Sequence, residues 1–355
     1  MDKNSLNEHI FLASANGYTG FKSYFDSIFD PKDYLKIFVL KGGPGTGKSS
    51  LMKHIAKIGG EKSVSVELFY CSSDPASLDG VVLEKENKRI AVIDGTAPHE
   101  RDARLPGAID EIVPLGMGFD TGALEKEKET IKQLNDNKLY YYSEAYKYLS
   151  ISSLFDTNIA AEMTSRVDFT SLNDIARIEL KEIFSSKYNK KSTRLVSHFS
   201  KYGLSGFNTL YNISDRVISI SGPFSSPFYF LNNVCEMLDD NSIGYMRIPH
   251  PLNGKYTEAI YFPDIRISLL ANGNSAESIS LCDHNNDIDK IANDPKLIEM
   301  DRDRLKYLNF AATSLSKASD YHFKLEDIYV KSMNFNIVDR IREKLIERIK
   351  NYLSL

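Results

Sequence analysis

The 355-residue chain has no tryptophan and only three cysteines, Cys71, Cys235 and Cys282, none of them in a CxxC spacing. That excludes a disulfide framework and a zinc ribbon. Neither charge is in large excess: 44 Lys+Arg stand against 48 Asp+Glu, a formal net charge of −4, and the isoelectric point is near 6.0. Proteins built around nucleic acid usually carry a basic domain or stripe, so nucleic acid is not an expected partner. No apolar run approaches the roughly 18 residues of a membrane span. The opening MDKNSLNEHI also lacks the apolar core of a secretory signal. A soluble cytoplasmic protein without a membrane partner is expected. What remains is an ordinary globular composition, 42% hydrophobic and 26% charged, over a length that suggests two domains.

The chain repeats itself. NGYTGF (16–21) is echoed by YGLSGF (202–207), and KIFVLKGGPGTGKSS (36–50) by RVISISGPFSSPFYF (216–230). FYCSSDPASLDG, IAVIDG and VDFTSLNDI find counterparts in YMRIPHPLNG, ISLLANG and MNFNIVDRI, in the same order. Such ordered self-similarity implies a tandem duplication, joined near the polar stretch SSKYNKKST (185–193). Short, β-branched apolar runs at 37–40 and 90–93 read as strands buried on both faces of a parallel sheet. Leu51, Ile55 and Ile58 recur at helical spacing, and Gly59-Gly60 reads as the stop. Further helices are expected over 124–149, over the Leu305, Leu308, Ala312, Leu315, Ala318 stripe, and over Val338, Ile341, Leu345, Ile349. The expected architecture is α/β: two tandem domains, 1–190 and 191–355, with mainly parallel sheets, each followed by a helical appendage.

The segment that carries chemistry is GGPGTGKS, Gly42 to Ser49, a full GxxxxGKS match between a strand and a helix. Glycines let backbone N–H groups converge on phosphate oxygens, and the helix N-terminus adds a positive dipole end. Gly42, Gly43, Pro44, Gly45, Thr46, Gly47, Lys48, Ser49 and Ser50 are the expected nucleotide-binding residues. Lys48 would reach the terminal phosphates, and Ser49 would ligate Mg²⁺ together with Asp94, which ends IAVID in the form of a Walker B strand. Gly95 stands where many ATPases carry a water-orienting Glu. The catalytic base is therefore open between Asp74, after the strand-like run 64–70, and His99 or Glu100. No NKxD signature is present, so ATP is favoured over GTP.

In the second half, Pro227 and Phe228 are read as falling where Lys48 and Ser49 stand, and Ala271-Asn272 where the acid would be. That copy is expected to bind no Mg²⁺·nucleotide. Arg247 is weighed as an arginine finger, and Arg101 and Arg104 as solvated side chains. The basic cluster Lys187, Lys190, Lys191 and Arg194 is read as a solvated connector, and the Asp283–Asp289 acids as no calcium loop, because Ile288 stands where that loop needs Gly.

LKGGPGTGKSSLMK from Leu40, YCSSDPASLDG from Tyr70, VIDGTAPH from Val92 and RLPGAIDEIVPLG from Arg104 together resemble a poorly characterised family of bacterial ATPases with two tandem P-loop halves. The similarity is dense over roughly 9–120 and thin beyond. The resemblance implies ATP at Gly42–Ser50 with Asp94 assisting Mg²⁺, and it adds Asp79 to Asp74 and His99 as residues beside the nucleotide. The expected function is Mg²⁺-dependent ATP hydrolysis at a single N-terminal site, coupled to conformational control of the two halves or to control of a partner, either another protein or a second copy of the chain. A small-molecule phosphotransferase and a non-hydrolysing ATP-dependent binding module remain the alternatives.

Overall fold

The computed structural model describes residues 8–62 and 64–355. Two six-stranded mixed sheets form its framework. The first contains β1 (Glu8–Leu12), β2 (Lys36–Lys41), β3 (Ser65–Tyr70), β4 (Leu78–Lys85), β5 (Lys88–Asp94) and β6 (Asp110–Pro114), in the spatial order β1-β3-β4-β5-β2-β6. The second contains β7 (Lys191–Thr193), β8 (Arg216–Ser221), β9 (Tyr245–Pro249), β10 (Thr257–Phe262), β11 (Ile267–Ala271) and β12 (Glu277–Ser280), in the order β7-β9-β10-β11-β8-β12. The two orders are identical once six is subtracted, and so is the pattern of directions. In each sheet the third strand in space runs antiparallel to both neighbours and every other pairing is parallel. A two-stranded ribbon, Ser14–Gly17 with Gly20–Ser23 and Ser197–Ser200 with Gly203–Gly206, recurs at the repeated YTGF and LSGF motifs. The repeat read from sequence is thus a repeat of topology.

The sheets are mainly parallel, as expected, but each holds one antiparallel strand. The antiparallel pair β4–β5 turns through Glu86 and Asn87, both in the left-handed region (φ 51° and 63°), as a two-residue hairpin turn requires. Glu-Asn lacks the glycine that marks such turns in sequence, so this hairpin was not expected.

The chain divides into two compact units, and they do not follow the boundary at 190/191. One comprises residues 1–15, 21–144 and 313–355; the other comprises 16–20 and 145–312. Each sheet therefore carries a helix of its own half, α1 (Lys48–Glu61) or α3 (Ser226–Asp240), and takes further helical cover from the other half of the sequence. On the first sheet, helix α5 (Phe335–Leu353) buries Val338, Leu345, Ile349 and Leu353 in one cluster with Phe38, Leu40, Val92 and Val113. On the second, Ile159 and Met163 from α2 (Lys128–Arg166) and the following Val167, Phe169 and Leu172 join Ile218, Phe230, Ile260 and Leu269. An amphipathic stripe fixes that a helix has a buried face but not which sheet it covers, and two sheets of like topology offer like surfaces. The basic stretch after 186 is no free connector either. Lys191 lies in edge strand β7 and pairs with Asp239 at 2.6 Å, while Arg194 is buried.

Two helix readings need correction. Helix α1 (Lys48–Glu61) passes through Gly59-Gly60 instead of stopping there. A Cβ on Gly59 would come 2.7 Å from Leu83, so this glycine permits close packing of helix on sheet. On α4 (Pro295–Lys331), Leu308, Leu315 and Ala318 are buried but Leu305 is exposed, and Ala311 rather than Ala312 holds the buried position between Leu308 and Leu315. Among the described residues no helix is long and apolar enough to cross a membrane.

Candidate functional site

The GxxxxGKS segment forms the turn between β2 and α1. Gly45 (φ 72°) and Gly47 (φ 78°) occupy the left-handed region, where a side chain would be strained. A Cβ on Gly42 would meet Thr46 Oγ1 at 2.8 Å, and that hydroxyl donates to the Gly43 carbonyl at 3.0 Å. The Lys48 ammonium donates to the carbonyls of Gly42 (2.8 Å) and Gly43 (3.0 Å) and lies 3.5 Å from Asp94 Oδ2. Asp94 ends β5, the parallel neighbour of β2, in register with Leu40. Its other oxygen accepts from the Thr96 N–H (2.8 Å) and hydroxyl (2.6 Å). Burial raises the Asp94 pKa against the opposing pull of Lys48. The Ser49 hydroxyl accepts from Leu78 N at 2.9 Å, and the Ser50 hydroxyl accepts from Arg342 at 3.1 Å. Lys48, Ser49 and Asp94 are thus gathered where two parallel strands end, the usual ligand edge of an α/β sheet.

Other sequence candidates have different surroundings. Asp74 Oδ1 accepts from Ala76 N at 3.2 Å in the loop after β3. His99 is buried 2.9 Å from Asp79 and stacked on Phe25, ring centroids 4.6 Å apart. Burial disfavours charge on His99, but the Asp79 carboxylate outweighs it and the pKa is raised. Arg101 is not solvated: it is buried against Asp110 at 3.3 Å. Arg104 pairs with Asp26. Arg247 is committed to its own turn, donating to Thr257 Oγ1 (2.9 Å) and to the Gly254 and Lys255 carbonyls, which leaves no free guanidinium edge for a finger role.

Sequence reading missed what covers the turn. Residues of α4 within the same unit pack on it: a Cβ on Gly45 would come 2.6 Å from Val330 Cγ2, and one on Gly43 would come 3.6 Å from Tyr329. Glu326 also lies beside the turn: a Cβ on Gly45 would come 3.3 Å from its backbone carbonyl, and its side-chain pKa is raised by burial first and by Asp74 next. No local pattern could have signalled a contact between residues so far apart in sequence.

Gly95 also acquires a reason. A Cβ there would come 2.3 Å from Val39 Cγ1 and 3.0 Å from the Arg101 carbonyl, so a Glu after Asp94 has no room. Gly95→Ala is expected to lower stability by about 1–3 kcal/mol through overpacking, read as a fall in the urea midpoint with an unchanged slope.

The second unit repeats the turn without its chemistry, in a register one residue from that expected. A Cβ on Gly222 would meet Ser226 Oγ at 2.5 Å, and Ser226 Oγ donates to the Pro223 carbonyl at 2.7 Å, as Thr46 does to Gly43. Phe228 therefore replaces Lys48 and Tyr229 replaces Ser49, while Ala271, paired with Ile220, stands in the Asp94 position. Phe228 stacks on Tyr256 (5.5 Å, 14°) and lines a cavity of about 280 Å³ with Tyr18, Asp156, His250 and Arg304. Arg304 is held by Asp301 at 2.7 Å.

No protein-family model, curated protein or solved structure matches the chain.

Proposed function

We propose that the first unit binds Mg²⁺·ATP at Gly42–Ser50 and hydrolyses it slowly, with the second unit carrying a related turn that has lost nucleotide chemistry. One observation carries this reading: the Lys48 ammonium is poised between the carbonyls of a glycine turn and Asp94, at the ends of adjacent parallel strands. The residues fit the ligand. The turn presents left-handed glycines, and Ser49 and Asp94 supply the hard oxygens that Mg²⁺ requires. Lys48 would move from the turn carbonyls to the terminal phosphates, and Mg²⁺, when bound, would neutralise charge on the phosphate oxygens. The resemblance to tandem P-loop ATPases points the same way, as does the absence of a guanine signature.

Gly95 favours a second reading, a non-hydrolysing ATP-dependent binding module, because the usual position for a water-orienting Glu is closed to any side chain. Among the sequence candidates Asp74 and Glu100 are left as base, since His99 is paired with Asp79.

A fluorescent ATP analogue and a melting curve, applied to the native chain and Lys48→Ala, test the site. Mg²⁺·ATP at 100 times its Kd should stabilise the native chain by about 2.7 kcal/mol and Lys48→Ala hardly at all. Equal stabilisation of both would remove the site assignment. Phosphate release by the native chain separates the ATPase from the binding module.

A further inference from the structure

Cys71, Asp79 and His99 come from three stretches of chain that the antiparallel arrangement of β3, β4 and β5 draws together. Cys71 directly follows β3, Asp79 lies in β4, and His99 lies in the loop after β5. The Cys71 thiol, an Asp79 carboxylate oxygen and a His99 ring nitrogen all lie within 4.8 Å of one another. Asp79 and His99 are each only 5% exposed. Asp79 Oδ2 is 2.9 Å from His99 Nε2, yet neither Asp79 Oδ2 nor His99 Nδ1 finds a well-directed hydrogen bond among the described residues. Buried polar atoms left without partners are rare, and an absent ion is one of the few arrangements that accounts for them. Phe25 stacks on the His99 ring and Phe21 tilts against it at 5.1 Å, which keeps the imidazole in place.

We propose that these three side chains bind Zn²⁺, through Cys71 Sγ, one Asp79 oxygen and a His99 ring nitrogen. Thiolate and imidazole donors select a borderline-soft ion over Mg²⁺, and three protein ligands leave the fourth tetrahedral position open. Binding breaks the Cys71 S–H bond and forms S–Zn, with the thiol proton leaving to solvent. Any proton on the ligating Asp79 oxygen or His99 nitrogen leaves to solvent in the same way, so that each ligates through a free lone pair. Thiolate and carboxylate together balance the ion's charge, which removes the penalty of holding a carboxylate in this buried place. The site differs from the nucleotide reading in its donors, because Ser49 and Asp94 offer only oxygen.

Cobalt(II) reports the thiolate directly. The purified full-length chain, stripped with a chelator and titrated with Co²⁺ in excess Mg²⁺, should develop a saturable near-ultraviolet thiolate-to-cobalt band at about one equivalent per chain. Zn²⁺ should abolish it. Cys71→Ser should lose the band, and His99→Gln should weaken Co²⁺ binding by at least about tenfold, while Cys235→Ser and Cys282→Ser keep the native spectrum. No thiolate band in the native chain would overturn the proposal, whatever the folding of the variants. So would a band that follows Cys235 or Cys282, or one that Mg²⁺ displaces.

Discussion

Replacing Glu326 by alanine is expected to tighten Mg²⁺·ATP binding by between about tenfold and a hundredfold. The size follows from what the carboxylate does. Its charge acts on both Asp74 and Lys48, beside the turn proposed to cradle phosphate, and like charges at such separations repel by about 1–3 kcal/mol at an effective dielectric near 20. An incoming polyphosphate must tolerate this negative charge nearby, so the native affinity carries a penalty that the variant lacks. The segment bearing Glu326 is well tethered. The Asp120 N–H donates to Ser332 O (2.8 Å) and the Asn334 N–H to Gly118 O (2.7 Å), so the end of α4 is tied to the loop after β6. Relief of that repulsion in the native chain therefore requires a side-chain rotation or a shift of the last turns of α4, a route that would relay nucleotide occupancy to a partner. Titration with a fluorescent ATP analogue measures the effect, and Asp327→Ala, at an exposed neighbouring position, serves as the control that should change little. Unchanged affinity with lost phosphate release would instead make Glu326 the base that Gly95 cannot supply.

The sequence was most legible where chemistry imposes a local pattern. Gly42–Ser49 could be read from spacing alone because left-handed glycines at 45 and 47, the helix start at Lys48 and the preceding buried strand are all local. Asp94 was legible because strand β5 ends in it beside β2. The repeat was legible as motif order and reappears as matched topology. What escaped depends on contacts between distant residues. The hairpin β4–β5 turns at Glu86-Asn87 without a glycine marker. The exchange of helical layers turns on which of two similar sheets an apolar stripe finds. The register of Phe228 against Lys48 is already that of the ungapped 36–50 and 216–230 match, and the Ser226–Pro223 hydrogen bond bears it out against the reading that placed Pro227 there. Glu326 and the Cys71–Asp79–His99 cluster carry no ligand spacing in the sequence, because the fold alone assembles them.

In the second unit, Glu258 on β10 should make stability fall as pH rises, and Glu258→Gln should remove that dependence. Burial raises its pKa to about 7, although the Ser197 hydroxyl, 2.5 Å away, favours the charged form. The unfolded chain releases this proton near the ordinary glutamate value of about 4.3. Between that pH and about 7 the folded state holds the proton that the unfolded state has lost, so stability declines with increasing pH across this window and levels off above it. At about 1.36 kcal/mol per pKa unit, the decline attributable to this residue is on the order of 3 kcal/mol. Glutamine keeps a polar group facing Ser197 and never ionises. Urea unfolding of the native chain and Glu258→Gln at pH 5 and pH 8 isolates the contribution, because all other titrating groups are common to both. The variant should match the native chain at pH 5 and exceed it at pH 8. A difference that grows in the opposite direction would mean that the carboxylate is charged in the folded protein and that Ser197, not burial, governs it.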